Sequence, residues 1–174
     1  MPKEDALKHY REKRHFDETP EPSGEDKSSK PGEEPVFVVQ MHDASRLHYD
    51  FRIEVAGTLK SWAVPKGPST NPKEKRLAVP TEDHPLGYAI FEGVIPEGNY
   101  GAGPVIVWDI GAYSNLKIED GKEVPLEESV KKGHLTIWLE GQKLHGGFAL
   151  TRFKQGKDES WLLVKMDDEH AQPE

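Results

Sequence analysis

A ten-residue stretch, RLHYDFRIEV at positions 46–55, restricts the fold more than any other part of the chain. Apolar and polar side chains alternate along it without interruption. One face carries Leu47, Tyr49, Phe51, Ile53 and Val55. The other face carries Arg46, His48, Asp50, Arg52 and Glu54. A period of two predicts a β-strand whose apolar face lies in a hydrophobic core.

The polar face of this predicted strand has an unusual chemistry. An ordinary solvent-facing row consists of Thr, Ser, Lys and Glu. Here His48, Asp50 and Arg52 follow one another, roughly 7 Å apart along the strand. His42 lies just upstream, beyond a bend indicated by residues 43–45. Two histidines and one aspartate are typical of a metal site with open coordination positions, and the arginine beside them suits an anionic ligand such as phosphate.

Simpler interpretations of these residues stay open on spacing alone. His48 and Asp50 could form only a hydrogen-bonded pair. Arg52 could form a surface ion pair with Glu54 or Glu82, which would contribute little to stability. Because the row is otherwise so polar, we favour a bidentate clamp of Arg52 on a phosphate. The chain has no cysteine, so any metal is held by histidine and carboxylate, and Mn²⁺ fits such ligands better than structural Zn²⁺, which is not excluded.

Length and composition favour a single domain with extensions. The 174 residues are enough for one hydrophobic core, but a hydrophobic content of 34% indicates that part of the chain lies outside it. Most of the net charge of −8 lies in residues 1–34 and 166–174, so the acidic balance does not exclude a nucleic-acid partner. Without an apolar run of membrane-spanning length or a signal peptide, we expect a soluble cytoplasmic protein with no membrane association.

The spacing of strands and turns predicts an all-β fold. Short strands with turns every 8–12 residues are typical of an antiparallel β-barrel or sandwich. Besides residues 46–55, strands are predicted at 59–64, 76–79, 105–108, 112–114, 134–140, 148–153 and 160–166. A hairpin turn is predicted at Ala56-Gly57-Thr58, and short helices at 4–14 and 125–132.

The predicted organisation has three parts. Residues 1–34 hold the first helix and a flexible linker rich in Pro, Gly and Ser. Residues 35–166 form a compact β-barrel, and 167–174 form an acidic tail.

Other polar segments carry weaker signals. Five basic residues against one acid lie between positions 60 and 76: Lys60, Lys66, Lys73, Lys75 and Arg76. Such a run is most often a solvated loop, but beside an anion site it suits a nucleic-acid backbone. The Gly-rich segment 96–104 has no GK[ST] and no following helix, so it is not a P-loop.

The remaining histidines give little signal on their own. His84, between Pro- and Gly-containing turns, could be a general acid, a phosphate donor or a capped turn residue, and the last interpretation is favoured from the residues alone. Four others have no acidic or histidine neighbour at ligand spacing and are expected to be structural or exposed: His9, His134, His145 and His170.

Four long motifs resemble the 3′-phosphoesterase domain of bacterial DNA ligase D. They are HDASRLHYDFR (42–52), LKSWAVPKGP (59–68), KRLAVPTEDHPLGYAIFEGVIPEGNYGAG (75–103) and VIVWDIGAY (105–113). The resemblance extends over nearly the whole chain and implies a compact β-barrel that repairs 3′ ends before ligation. No polymerase or ligase module fits in 174 residues, so we expect a stand-alone, monomeric family member.

The resemblance implies a manganese-dependent activity in two steps, with Zn²⁺ or Co²⁺ as other candidate ions. A phosphodiesterase step removes a 3′-terminal ribonucleoside, and a phosphomonoesterase step then removes the 3′-phosphate to leave a 3′-hydroxyl. The implied substrate is a DNA primer-template or duplex with such an end, and a separate DNA ligase and polymerase are the implied partners. No serine or cysteine is placed as a covalent nucleophile, so direct hydrolysis is expected.

The resemblance also assigns roles to residues. It implies that His42, His48 and Asp50 are the metal ligands. It makes Arg52 and His84 the phosphate-binding pair and Tyr88 a further active-site residue, with Tyr88 or a protonated His84 assisting the leaving oxygen. Supporting positions are Gln40, Lys66, Arg76 and Glu82.

In the N-terminal segment, Arg14, Phe16 and Glu21 match the family pattern, whereas His15 stands where the pattern has Asp. These residues serve the diesterase chiefly, so the difference bears on ribonucleoside removal rather than on phosphate removal.

Two other functions are compatible with the residues. An Fe(II)-dependent oxygenase on a β-barrel also uses two histidines and one carboxylate, but its usual order is His-x-Asp followed by a distant His. Here the isolated histidine comes first and an arginine shares the face. A non-catalytic nucleic-acid-binding module would bind without Mn²⁺ and release no phosphate.

Overall fold

The computed structural model describes residues 7–14, 16, 21 and 35–172. Its strands are β1 (Val36–Asp43), β2 (Leu47–Val55), β3 (Thr58–Val64), β4 (Arg76–His84), β5 (Gly93–Ile95), β6 (Gly103–Asn115), β7 (Ile118–Glu119), β8 (Lys122–Glu123), β9 (His134–Glu140), β10 (His145–Lys154) and β11 (Ser160–Lys165). Its helices are α1 (Lys8–Glu12), α2 (Leu126–Lys132) and a 3₁₀ helix (Leu86–Ile90). No helix in these ranges is long and apolar enough to cross a bilayer.

The sheet closes into an antiparallel barrel of eight strands. The order is β1-β2-β3-β4-β11-β10-β9-β6, and β6 pairs again with β1. Closure leaves these strands without open edges, which is how barrels avoid unpaired backbone groups. The short β5 adds to β6 outside the ring, and β7 and β8 form a separate hairpin. The predicted all-β barrel with two short helices is therefore confirmed.

The predicted apolar face of β2 lines the barrel interior. Phe51 and Ile53 are fully buried and lie opposite Val39 and Phe37 of β1. The core that they join is completed by Trp62, Leu135, Ile137, Leu139, Phe148, Leu150, Trp161 and Leu163. The prediction fails at Leu47, which is 51% exposed because it pairs with the last residue of β1 at the rim of the barrel.

The turn between β2 and β3 is the predicted hairpin. Val55 pairs with Thr58, so the loop has two residues, Ala56 and Gly57, with φ of 51° and 85°. Positive φ at both positions gives a turn whose twist matches that of the strands. This turn fixes the register of β2 against β3.

The strands β4 and β6 differ most from their predicted lengths. The strand predicted at 76–79 continues to His84, although Pro80 lies within it. The two strands predicted at 105–108 and 112–114 are one strand of 13 residues, β6. Gly111 does not break β6; a Cβ there would come within 2.2 Å of the Glu140 carbonyl oxygen, so glycine allows the close approach of the β9 end.

A second apolar cluster lies on the outer side of the barrel wall. It consists of Tyr10, Val38, Leu59, Tyr88, Ala89, Phe91, Ile95 and Val105. The cluster packs α1 and the 3₁₀ helix onto β1, β3 and β6. Val38 lies opposite Arg52, so the polar face of β2 shares this covered side of the wall. The polar row is consequently not an open solvent face.

The chain after β11 contacts the barrel as far as residue 172. The Gln172 amide donates to the Thr70 carbonyl at 2.8 Å. The buried Lys165 ammonium lies 2.6 Å from an Asp168 oxygen, and the other Asp168 oxygen accepts from the Gly147 amide. Partial burial alone would raise the pKa of Asp168, but these bonds lower it to about 2. The three-part division of the chain stays a prediction, since most of the N-terminal segment and linker lies outside the described residues.

The Lys165–Asp168 pair generates a prediction about stability. Asp168→Ala is expected to lower the free energy of unfolding by about 3 kcal/mol, because it leaves a buried ammonium without its carboxylate partner. Urea unfolding at pH 7 measures this. Asp167→Ala, at the adjacent exposed position, is the control and should stay within about 0.5 kcal/mol of the parent. Equal effects of the two substitutions would contradict the assignment.

Candidate active site

The β1–β2 register brings the three predicted metal ligands together. His42 lies directly opposite His48, and Gln40 lies opposite Asp50. Directly opposed residues of an antiparallel pair share one face of the sheet. One ligand atom each from His42, His48 and Asp50 can be chosen so that all three lie within 4.8 Å of one another. A cation could therefore contact all three side chains.

Backbone carbonyls orient both imidazoles for this role. His42 Nε2 lies 2.6 Å from the Gly101 carbonyl oxygen, and His48 Nδ1 lies 3.2 Å from that of Arg46. A carbonyl only accepts, so these nitrogens donate, and the opposite nitrogens face Asp50 at 3.4 and 3.1 Å. Support of a ligating histidine by a carbonyl is typical of metal centres. The donor set thus fits a divalent cation with open coordination positions.

The Asp50 carboxylate is ionised despite its burial. Burial alone would raise the pKa of Asp50, but the Arg52 charge and the hydrogen bonds from the two histidines hold it well below its usual range. The hydrogen bond between His48 and Asp50 is also the largest cause that raises the pKa of His48. A cation binding here would replace the His48 proton, because a ligating imidazole is neutral.

Arg52 is buried beside Asp50 and is held by two acceptors. Its Nε donates to Gln40 Oε1 at 2.7 Å, and its Nη2 lies 3.3 Å from Asp50 Oδ2. Its Nη1 lies 3.1 Å from His84 Nδ1, but that nitrogen donates to the Glu82 carbonyl and does not accept from the guanidinium. The Arg52 residue is 3% exposed, so the interpretation as a surface ion pair with Glu54 or Glu82 is wrong. Three of its five N–H groups remain for an anion.

Gln40 ties this arginine to the covering 3₁₀ helix. Its side-chain amide donates to the Tyr88 and Phe91 carbonyls at 2.7 and 3.0 Å. The Tyr88 ring lies 4.9 Å from the Arg52 guanidinium carbon, within the range of a cation–π contact. The guanidinium is consequently fixed before any ligand arrives.

His84 is the last residue of β4 and is 3% exposed, so the interpretation as a capped turn residue is wrong. Its Nδ1 lies 2.8 Å from the Glu82 carbonyl oxygen, and its Nε2 lies 3.4 Å from Arg14 Nη2. Burial, together with the charges of Arg52 and Arg14, places the pKa of His84 well below its ordinary value. Without a bound anion, His84 is therefore neutral and cannot act as a general acid.

The described residues before β1, which are 7–14, 16 and 21 and are called the N-terminal arm below, supply the opposite wall of the site. Arg14 Nε donates to Glu21 Oε2 at 2.9 Å, and Arg14 Nη1 donates to Glu82 Oε1 at 3.1 Å. The Tyr88 hydroxyl donates to the same Glu21 oxygen at 2.7 Å. The guanidinium lies 3.9 Å over the Tyr10 ring. Residues far apart in sequence thus form one network that continues into His84.

Burial and charge fix the protonation of this network. Burial raises the pKa of Tyr88, so its hydroxyl remains a donor. Burial alone would also raise the pKa of Glu82, but its backbone hydrogen bond and the charges of Arg14 and Lys13 lower it. The Tyr88 phenol is therefore protonated, and the Glu82 carboxylate is ionised.

Lys66 and Arg76 lie apart from the buried cluster. Lys66 is exposed in the turn after β3, and Arg76 at the start of β4 pairs with Glu74 at 2.8 Å. Neither lines the cleft formed by the residues that the structure describes. Val64 pairs with Tyr49 and Val79 with Ala63, so both basic residues lie at the end of the barrel where β2 begins.

These observations can be set beside known proteins. A family model described as the DNA ligase D 3′-phosphoesterase domain matches residues 40–152. The chain is 53% identical, over 98% of its length, to a multifunctional non-homologous end joining protein LigD of Pseudomonas aeruginosa. It is 42% identical over the same share to proteins of this name from Mycolicibacterium smegmatis and, described as a DNA repair protein, from Mycobacterium tuberculosis. This chain belongs to the DNA ligase D 3′-phosphoesterase domain family.

The alignments include nearly all of this chain but only part of each relative. The chain covers 20–22% of the length of these relatives. The family match contains the histidine–aspartate cluster, Arg52, His84 and Tyr88. It begins after Arg14 and Glu21, which only the alignments with the full-length relatives include.

The cleft of this phosphoesterase domain also contains residues that sequence reasoning missed. It has a volume of about 250 Å³. Besides the predicted residues it is lined by Ala44, Ser45, Thr81, Ile95, Tyr100 and Gly101. The last two belong to the Gly-rich segment 96–104, most of which lies within the family motif 75–103. A Cβ at Gly101, where φ is 73°, would meet His42 Cε1 at 3.2 Å, so glycine permits the carbonyl to reach that ring.

Two histidines outside the cleft have neighbours that the sequence did not reveal. The rings of His145 and His170 lie 4.3 Å apart, and His145 Nε2 lies 3.5 Å from Glu140 Oε2. The expectation that they lack such neighbours is wrong because β9, β10 and the chain after β11 meet there. His134 contacts the Thr151 hydroxyl at 2.9 Å, and the side chain of His9 lies outside the described residues.

The cluster generates a prediction about cation binding. The chain should bind one Mn²⁺, and Asp50→Asn should weaken binding by more than about 100-fold, because it removes the charged ligand that the two histidines share. Titration calorimetry and the electron paramagnetic resonance signal of free Mn²⁺ both measure this. His145→Ala, at the other histidine pair, is the matched control and should leave the affinity unchanged. Equal affinities of the parent and Asp50→Asn would contradict the assignment.

Proposed function

We propose that this domain is a Mn²⁺-dependent 3′-phosphoesterase that prepares DNA ends for joining in DNA repair. The observation that carries the proposal is the sharing of one ionised carboxylate, Asp50, by two imidazoles and the buried guanidinium of Arg52. In this proposal a cation site and a phosphate site lie side by side at that carboxylate. The family description supports the reaction class, and the names of the relatives support a role in end joining.

The proposed reactions are two hydrolyses at the same phosphorus. In the first, water adds to the phosphorus and the bond to the 5′ oxygen of the terminal ribonucleoside breaks, which leaves a 3′-phosphate. In the second, water adds again and the bond to the 3′ oxygen breaks, which releases inorganic phosphate and leaves a 3′-hydroxyl. We propose that a DNA ligase and a polymerase, on the same or another polypeptide, use this hydroxyl.

The cation site and Arg52 have different roles at the phosphate in this proposal. A divalent cation held by His42, His48 and Asp50 would supply a Lewis acid for a phosphate oxygen and a water of lowered pKa. Arg52 offers its remaining N–H groups to the other phosphate oxygens. Because it is buried and held by Gln40 and Asp50, it stabilises charge on these oxygens without reorganising.

His84 and Tyr88 act next to this arginine. Burial is the largest cause of the lowered pKa of His84, and the charges of Arg52 and Arg14 come next. A bound phosphate anion offsets these charges and so raises the pKa of His84, which favours donation from the imidazole to the phosphate or the leaving oxygen. The Tyr88 hydroxyl is bound to Glu21, and its ring lies against Arg52. We therefore assign Tyr88 to positioning of the arginine and the N-terminal arm.

The DNA duplex approaches from the end of the barrel where β2 begins. The exposed side chains of Lys66, Lys73 and Lys75 and the partly exposed Arg76 lie in this region. Basic side chains there bind the DNA backbone without reading its sequence. In this proposal Lys66 and Arg76 support the reaction by holding the duplex rather than by contacting the scissile phosphate.

A direct assay tests the proposed function. Purified protein and Mn²⁺ are incubated with primer-templates that end in a 3′-phosphate or in one ribonucleotide. We expect release of phosphate from the first substrate and of a nucleoside, then phosphate, from the second. His48→Ala and Arg52→Lys should each lower kcat/KM by at least about 100-fold, because each removes a cation ligand or the planar donor pair. His145→Ala serves as the unaffected control.

Two outcomes of this assay would overturn the proposal. A non-catalytic binding module would bind the primer-template equally with and without Mn²⁺ and release no phosphate. Activity retained by Arg52→Lys at the parental level would remove the arginine from the reaction.

The network of the N-terminal arm generates a further prediction. Arg14→Ala should lower ribonucleoside removal at least about tenfold more than phosphate removal, since it breaks the contacts to Glu21 and Glu82 that wall the side of the site away from the basic loop. Product analysis on the two substrates measures the ratio. Lys8→Ala, at an exposed position of α1, is the control. Equal losses of both activities would contradict a special role of the arm in the diesterase step.

A further inference from the structure

A groove adjoins the cleft of the cation cluster on the β4 side. It is lined by Lys13, Pro80, Thr81, Glu82 and Tyr100 and has a volume of about 330 Å³. Three of these residues, Thr81, Glu82 and Tyr100, also line the cleft of the cation cluster. The two hollows are therefore neighbours with a shared wall, and a ligand with its phosphate at Arg52 could extend into the groove.

Tyr100 is an exposed aromatic ring at this junction. It is 49% exposed, whereas Tyr10, Tyr88 and Tyr113 are at most 6% exposed. The Lys13 ammonium lies 4.6 Å and the Arg14 guanidinium carbon 5.5 Å from its ring centre. An accessible aromatic ring accompanied by basic side chains is the arrangement on which nucleobases stack in single-stranded nucleic-acid sites.

Thr81 adds a hydroxyl that has no hydrogen-bond partner within the described part of the chain. Its Oγ1 is inaccessible to solvent and forms no hydrogen bond with the described residues. Thr81 pairs with Ser61, whose Oγ lies 3.4 Å from His84 Nδ1, so both lie on the covered side of the wall. Buried hydroxyls are normally hydrogen-bonded, and an unbonded one in the wall of a cleft points to a partner on a ligand.

The position of the groove decides which part of a DNA end can reach it. The duplex is expected at Lys66, Lys73 and Lys75, at the end of the barrel where β4 begins, and Thr81 lies further along β4. Thr81 is level with Arg52, because both residues pair with Ser61, so the groove lies beside the proposed phosphate site on the β4 side. The nucleoside on the far side of a phosphate at Arg52 can therefore enter this space.

We propose that this groove is the binding site for the terminal nucleoside of the 3′ end, with Tyr100 stacked on its base and the Thr81 hydroxyl bonded to the 2′-hydroxyl of its ribose. This inference rests on the function proposed above and goes beyond it by naming the residues that hold the leaving nucleoside. A 3′-phosphate end has no terminal nucleoside beyond the phosphorus. Its hydrolysis is therefore independent of both contacts.

Tyr100 is tested by varying the base. The substrates are primer-templates that end in a ribonucleotide, in an abasic ribose or in a 3′-phosphate. Tyr100→Ala should lower kcat/KM for the ribonucleotide end about tenfold or more, because loss of one base–aromatic stack removes that much binding. It should leave the abasic and 3′-phosphate ends within about twofold of the parent, since these lack the base. Tyr100→Phe keeps the ring and should restore activity, and Phe153→Ala, which removes a remote exposed ring, should have no effect.

Thr81 is tested by varying the sugar. Thr81→Val should lower kcat/KM for a terminal ribonucleotide roughly three- to tenfold, which corresponds to one neutral hydrogen bond. On a terminal 2′-deoxynucleotide the same substitution should have no further effect, because the partner hydroxyl is absent. Thr81→Ser should retain the preference for ribose. Thermal unfolding of every variant checks that the fold is intact.

The outcomes separate the subsite from the proposed function. If the parent releases phosphate but Tyr100→Ala lowers the abasic, ribonucleotide and 3′-phosphate reactions equally, the nucleoside site is overturned and the phosphoesterase function stands. If Thr81→Val lowers the ribose and deoxyribose reactions equally, the sugar contact is overturned. If the parent acts on none of the ends, the proposed function fails, and the nucleoside site fails with it.

Discussion

The rest of the site depends on one buried carboxylate shared by three nitrogen groups. Asp50 contacts His42, His48 and Arg52, and the resulting electrostatic balance keeps it ionised at 4% exposure. The β1–β2 register produces this sharing, since it places His42 opposite His48 and Gln40 opposite Asp50. A slip of one residue would turn these side chains into the barrel core. The Ala56-Gly57 turn and the closed barrel, which hold that register, are therefore as necessary to the site as its ligands.

The barrel uses its two faces for different purposes. Its interior is filled by aromatic and aliphatic side chains, so no ligand enters it. The site lies instead on the outer wall, beneath α1, the 3₁₀ helix and the Gly-rich segment. This cover lowers the local dielectric, which strengthens every contact of Arg52 and His84 with a bound anion. A rigid wall that carries the charged groups and a cover that excludes water together make a polar site from an ordinary β-sheet.

Sequence reasoning predicted the strand that carries the polar row but not the segments that cover it. The alternation at 46–55 predicted the strand, its buried face and the row of His48, Asp50 and Arg52 without reference to distant residues. Burial of His84 and Arg52 could not be read from local pattern, because it comes from Tyr10 and Tyr88, which are distant in sequence from β2. Thr81 gave no signal for the same reason: its isolation exists only once β3, β4 and the arm are assembled. The family resemblance implies roles for Arg14 and Glu21, but only the fold shows that their network runs through Tyr88 to Arg52.

The charges around the cleft support the proposal that it binds a cation and a phosphate together. Among the described residues, Lys13, Arg14 and Arg52 face Asp50, Glu21 and Glu82, so the site is close to neutral before it binds anything. A divalent cation alone adds uncompensated positive charge beside Arg52, and a phosphate dianion alone adds negative charge beside Asp50. Together they cancel, so each strengthens the binding of the other, and this coupling is reciprocal. A phosphodiester carries one negative charge fewer than the terminal phosphate, so its binding gains less from the cation and depends more on contacts with the leaving nucleoside. The groove at Tyr100 and Thr81 lies where such contacts are available.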